Sequence, residues 1–172
     1  MKQIMPFVLL PFICLNHVFA QHIDKSQYAI FPYNDSEEFV SRKFPSNCVK
    51  SNLTEIEIGE IGPILDKCIK EYNEKQEQVY KDIHEKYPEA KREDFMIDWV
   101  GKYKFQFIVS MTPQGYKTIW VNCFCTRSED EWEKNNWQKQ VIHVFDGGKC
   151  YFNLMIDLTR KFYYDFSVNG NG

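Results

Sequence analysis

The sequence predicts an α+β domain, with one long N-terminal helix packed on a four- to five-stranded antiparallel meander sheet. Three observations carry this expectation. Beyond residue 20 the 172-residue chain holds 13 Ile, 9 Val, 11 Phe, 10 Tyr and 4 Trp but only 2 Ala and 4 Leu. β-branched and aromatic side chains suit a pleated surface, whereas Ala and Leu are the strong helix formers, so a helical bundle is excluded. One stretch alone, 61–87, repeats apolar residues at three- and four-residue steps, and apolar runs broken by turn sequences follow it. The formal net charge of −3 gives no basic field for nucleic acid.

Residues 1–20 read as a signal peptide. Lys2 supplies the charged start, Ile4 to Leu15 is an apolar run too short to span a bilayer, and Val18-Phe19-Ala20 fits cleavage before Gln21. No later stretch is apolar enough to span, so a secreted or periplasmic protein with no transmembrane segment after cleavage is expected. Residues 21–52 read as an irregular N-terminal segment, broken by Pro32, Asn34, Asp35, Pro45 and Ser46. Residues 53–172 read as the single α+β domain.

Within it, Leu53 to Ile58 alternates and suggests a short strand. The helical stripe then runs Ile61, Ile64, Leu65, Cys68, Ile69, Tyr72, Val79, Tyr80, Ile83 and Tyr87, with Pro63 near the first turn and Pro88 as the stop. Lys102–Met111 and Tyr116–Cys125 form a hairpin around Thr112-Pro-Gln-Gly115. Setting Met111 opposite Tyr116 places Phe107 with Trp120 on the more aromatic face. A second hairpin is expected where Asp146-Gly-Gly-Lys149 joins Val141–Phe145 to Cys150–Asp157, with Val141, His143, Phe145 and Cys150 facing the core. Phe162–Val168 supplies the last strand.

Five cysteines outlast cleavage, Cys48, Cys68, Cys123, Cys125 and Cys150. An exported chain keeps disulfides, and the odd count leaves at least one thiol spare. Cys123 and Cys125 point the same way along a strand at about 6.5 to 7 Å, at the limit for bridging. Other pairings stay open.

The order of helix then curled antiparallel sheet resembles the cystatin-like and NTF2-like architectures. Ile119-Trp-Val-Asn-Cys-Phe-Cys125, Asp146-Gly-Gly-Lys-Cys-Tyr-Phe-Asn153 and Tyr163-Tyr-Asp-Phe-Ser-Val-Asn-Gly170 look like a group of small exported bacterial proteins of unknown function, over about residues 53–170. The resemblance implies a fold and no activity. Cysteine-protease inhibition is not implied, because Met111-Thr-Pro-Gln-Gly115 stands where the cystatin signature Gln-x-Val-x-Gly would be.

For chemistry, His143 beside Cys150 suggests a nucleophile pair, but a core histidine is the favoured reading. No spacing suggests a metal site, and no cofactor is expected. The aromatic surplus is the stronger signal. Trp120, Trp132, Trp137, Tyr151 and Tyr163 exceed what one core face takes, and flat rings left outside serve as contact anchors. The sequence therefore predicts a non-catalytic binding or inhibitory module for a protein or peptide partner, using the outer sheet face and the Trp132–Trp137 loop. The alternatives are a small-ligand-binding protein or small hydrolase with a pocket inside the curled sheet, and a homodimer formed through the sheet.

Overall fold

The computed structural model describes residues 23–34, 38–125 and 136–170. Its elements run β1 (Tyr28–Pro32), α1 (Glu38–Lys43), β2 (Val49–Lys50), α2 (Glu55–Lys86), β3 (Tyr103–Met111), β4 (Lys117–Cys125), β5 (Tyr151–Asp157) and β6 (Phe162–Val168). The fold is α+β, but the long helix lies mid-chain. The sheet has six strands and is mixed rather than antiparallel, in the order β1-β3-β4-β5-β6 with β2 also on β3. β1 runs parallel to β3, from Tyr28 opposite Phe105 to Pro32 opposite Val109. The segment 21–52, expected to be irregular, thus supplies β1, α1 and β2. The proposed signal peptide lies outside the described residues.

α2 begins earlier than its apolar stripe suggests. Thr54 Oγ1 accepts from Glu57 N–H at 3.3 Å and the Glu57 carboxylate accepts from Thr54 N–H at 2.8 Å. This reciprocal cap satisfies two terminal donors, and it turns the expected strand at 53–58 into the first helical turn. α2 is continuous over 32 residues, with Pro63 inside it. Ile58, Ile61, Ile64, Leu65, Cys68 and Ile69 are buried against the sheet. Its C-terminal half is docked differently. Asn73 donates to Ile97 O and accepts from Ile97 N–H, at 2.8 and 2.9 Å, and Tyr80 packs on Phe95.

The first hairpin forms one residue out of the expected register. Met111 faces Lys117, not Tyr116, because the loop takes five residues. Thr112 N–H donates to Tyr116 O, and Gly115, at φ 83°, donates to Thr112 O, both at 2.9 Å. A slip of one moves a whole strand's side chains to the opposite face. Tyr103, Phe105, Phe107 and Val109 consequently share a face with Ile119, Val121 and Cys123, joined by Phe152, Leu154 and Ile156. All are buried, and with the α2 stripe they form the main core. Trp120 moves to the second face, with Ile108 and Met155 beside it and Gln106, Asn122 and Asn153 in the next row.

The second expected hairpin does not form. β5 pairs with β4 and β6, so 141–145 has no place in the sheet and crosses its second face as a strap. Ile142 is buried there, while His143 and Phe145 are exposed, which reverses the expected facing. Gly147 and Gly148, at φ 85° and 55°, lead into a short 3-10 turn at Gly148–Cys150. β6 carries an extra residue opposite β5, with Asp165 at φ 49°. Tyr163, Phe166 and Val168 therefore all lie against the main core. α1 and its flanks close over the second face, where Tyr33, Val40, Phe44 and Cys48 pack on Ile108, Trp120 and Met155.

Candidate functional site

The strap needs partners for its backbone, and side chains from the sheet supply them. Gln106, fully buried on β3, donates through Nε2 to Trp137 O and Gln140 O at 2.6 and 2.7 Å. Its Oε1 accepts from Ile142 N–H at 2.8 Å and from Asn122 Nδ2 at 3.0 Å. Asn122 Nδ2 also donates to Ile142 O at 2.8 Å. Asn169 Nδ2 donates to Val144 O and, at 3.1 Å, to Asp146 O. Two amide side chains thus do for 137–142 what strand neighbours would otherwise do. The Cys125–Cys150 disulfide, with Cα atoms 4.9 Å apart, closes the loop that carries the strap.

Between the strap, α1 and strands β4 to β6 lies a cleft of about 260 Å³, slightly under the usual size of a small-molecule site. Phe39, Trp120, Phe145, Tyr151 and His143 bring rings to it, and Asn122, Asn153, Ser167 and Asn169 bring polar groups. The Trp120 ring is 5% exposed and lies 5.3 Å from Phe39, whose edge meets His143 at 4.7 Å. Phe145 is 94% exposed. Among the described residues the lining carries Lys43, held at 2.8 Å by Asp165.

Two side-chain atoms of lining residues are solvent-inaccessible and have no hydrogen-bond partner among the described residues: Trp120 Nε1 and Asn153 Oδ1. A buried orphan of either kind costs about 1–3 kcal/mol, and native proteins leave few of them. Here one donor and one acceptor belong to residues of the same cleft, with the atoms themselves beneath its surface. They stand on neighbouring strands, with Trp120 opposite Met155 and Asn153 opposite Asn122. His143 also borders a second recess of about 400 Å³, where Phe31, Pro32, Ile108 and Val141 lie.

The predicted binding residues separate accordingly. Trp120 and Tyr151 come together in the cleft. Trp137 is not on the lining; it is buried, packed on Phe124 at 6.1 Å with Lys104 Nζ 5.0 Å over its ring, so it is not the exposed anchor expected. Tyr163 lies on the main-core face, its hydroxyl donating to Glu71. Trp132 lies outside the described residues. Trp99, which sequence reasoning missed, is 54% exposed, and its ring fills the space above Gly101. Asn153, Phe39 and Phe145 were also missed as cleft residues; Trp120 and Asn122, two apart on β4, share a face in any register, and a hairpin register shifted by one would have set them opposite Ile108 and Gln106 instead of Phe107 and Phe105.

The described cysteines divide into one disulfide and three buried thiols, Cys48, Cys68 and Cys123. Burial pushes Cys68 up to about 12 and Cys123 well above the ordinary thiol range, so neither forms the thiolate that nucleophilic chemistry needs. Cys150 is bridged, which removes the thiol of a Cys–His pair, and His143 is exposed rather than a core histidine. The interior between α2 and the sheet, where a ligand pocket was the alternative expectation, is occupied by the main core. Among the described residues no three His, Cys, Asp or Glu side chains are grouped to hold a metal ion, and no helix is long and apolar enough to cross a membrane. No protein-family model, curated protein or solved structure matches the chain.

Proposed function

We propose that this protein is an exported, non-catalytic binding module that takes a segment of a peptide or protein partner into the cleft beneath the strap. The observation that carries the reading is the make-up of the cleft, where the rings of Phe39, Trp120 and Tyr151 meet the side chains of Asn122, Asn153 and Asn169. Aromatic rings with a few polar side chains among them are the usual make-up of a ligand site. The exposed Phe145 ring adds an apolar anchor beside them. Export is supported by the signal-like residues 1–20 and by the disulfide, a bond that persists in oxidising compartments.

Panning a phage library of random seven-residue peptides on the immobilised protein tests this. Enriched peptides are expected to bind the native chain and to lose binding to Phe145→Ala and Trp120→Phe. Enriched peptides that bind both variants as well as the native chain would refute the cleft as the site.

A further inference from the structure

We infer that Asn52 carries an N-linked oligosaccharide, added as the chain is exported. The inference rests on the export reading above and is independent of the cleft, whose lining includes no residue between Val49 and Ile56. Asn52-Leu53-Thr54 matches the acceptor motif Asn-x-Thr, which takes sugar where it lies on the surface of a secreted chain. The motif is short, and the structure supplies what selects this copy of it. Residues 51–54 join β2 to α2, and Leu53 in their midst packs on the main core. Thr54 is extended, at φ −84° and ψ 162°. Side chains alternate along extended backbone, so anchoring Leu53 inward leaves Asn52 and Thr54 on the solvent side, and both are exposed.

The backbone of this corner is pinned while the acceptor is not. Ser51 N–H donates to Val109 O at 3.3 Å, and Asn52 O accepts from Lys117 Nζ at 2.9 Å. Among the described residues nothing bonds the Asn52 side-chain amide. The fold also leaves room for a bulky group, since Val49 and Ile56, on either side in the chain, are 60% and 80% exposed. The other match to the motif, Asn34-Asp-Ser36, is half-buried at its asparagine and runs outside the described residues. Transfer forms a bond from Asn52 Nδ2 to the anomeric carbon of a polyprenyl-pyrophosphate-linked oligosaccharide. It breaks that carbon's bond to the pyrophosphate, which leaves with the electron pair, and the amide gives one proton to a base of the transferase.

The test secretes the chain from insect cells in two forms, one with its own residues 1–20 and one with a host leader in their place. Peptide N-glycosidase in heavy-oxygen water, followed by tryptic mapping, marks each glycosylated asparagine as an aspartate bearing heavy oxygen. The peptide 51–67, bounded by Lys50 and Lys67, should carry the mark. Thr54→Asp keeps a side chain able to cap α2 but breaks the motif, and should lose the mark. Thr54→Ser keeps both and should retain it. An unmarked peptide 51–67 from the chain secreted behind the host leader would overturn the assignment, and so would a mark that survives Thr54→Asp. Retention inside the cell of the form with its own residues 1–20 alone would overturn the export reading instead.

Discussion

Replacing Gln106 by Leu removes four hydrogen bonds at nearly constant volume, and the structure fixes what should follow. Two of the groups that lose a partner, Trp137 O and Ile142 N–H, sit in buried surroundings, while those at Gln140 O and Asn122 Nδ2 are only part-buried and can turn to water. Two dry orphans cost about 2–6 kcal/mol, and Leu returns about 1 kcal/mol of apolar burial, for a net loss of about 3 kcal/mol. The strap could instead lift off and hydrate its backbone. That would expose Ile142 and Trp137, now 3% and 8% exposed, at about 5 kcal/mol. Staying down is cheaper, so the strap remains seated but opens far more often. The melting temperature should fall by about 6–12 °C, and exchange of the Ile142 amide should quicken by about 100-fold, read by hydrogen–deuterium exchange. Gln106→Glu sharpens the test. Its carboxylate would face two carbonyl oxygens in a dry site, so its folded pKa would rise above the unfolded value. The unfolded chain then loses its proton first, and stability falls as pH rises from about 4.3 upward. An unchanged melting temperature with unchanged Ile142 exchange in Gln106→Leu would refute the assignment of Gln106 as the anchor of the strap.

The remaining predictions address the cysteines and the start of α2. Cys125→Ser with Cys150→Ser should lower stability by about 3.5 kcal/mol in urea titrations, as loop-closure entropy gives for a separation of 25 residues; a loss under about 1 kcal/mol would contradict the described bridge. Iodoacetamide at pH 8 should leave Cys48, Cys68 and Cys123 unmodified in the native protein and label all three in urea, followed by mass spectrometry; rapid native labelling would deny their burial. Burial works against the Glu57 carboxylate, but hydrogen bonds from Lys117 and Thr54 hold it below the usual carboxylate range. Its contribution is therefore complete above about pH 4.3 and lost as pH falls through the lower folded value. Glu57→Gln should cost about 1 kcal/mol at neutral pH and flatten the acid limb of the stability profile, and an unaltered acid limb would show the pairing to be inert.

Much of the frame was legible in the sequence, and the failures have particular causes. The α2 stripe at Ile61, Ile64, Leu65, Cys68 and Ile69 marks the helix because its spacing is that of one buried face. Its true start was also written in the chain, since Thr54 and Glu57 form a capping box, but two-residue alternation in the same six residues competes with it. The β3–β4 hairpin was recognisable and its register was not. Whether a Gly-containing loop closes over four residues or five depends on the Thr112 hydrogen bonds, and that single residue decides which side of the sheet Trp120 occupies. β1 was invisible because a parallel partner 77 residues away leaves no local signature. The strap misled for the opposite reason. Val141 to Phe145 has a strand's composition, but Gln106 and Asn122, side chains of the sheet, satisfy the backbone of Ile142 without a strand ladder.

The two margins of the sheet govern how this chain behaves among copies of itself. Along one margin β1 covers β3 over five residues and ends at Pro32, which has no N–H to offer a newcomer, and β2 takes over at Lys50 and Val49. Along the other, the extra residue of β6 and the left-handed turn of Asp165 break its row of outward amides midway. A chain this rich in Ile, Val and aromatic residues is the kind that stacks into cross-β fibres when a flat margin is left open. Here neither margin gives an incoming strand an unbroken template. The bulge that turns Phe166 and Val168 toward the core also guards this margin against fibrous self-assembly.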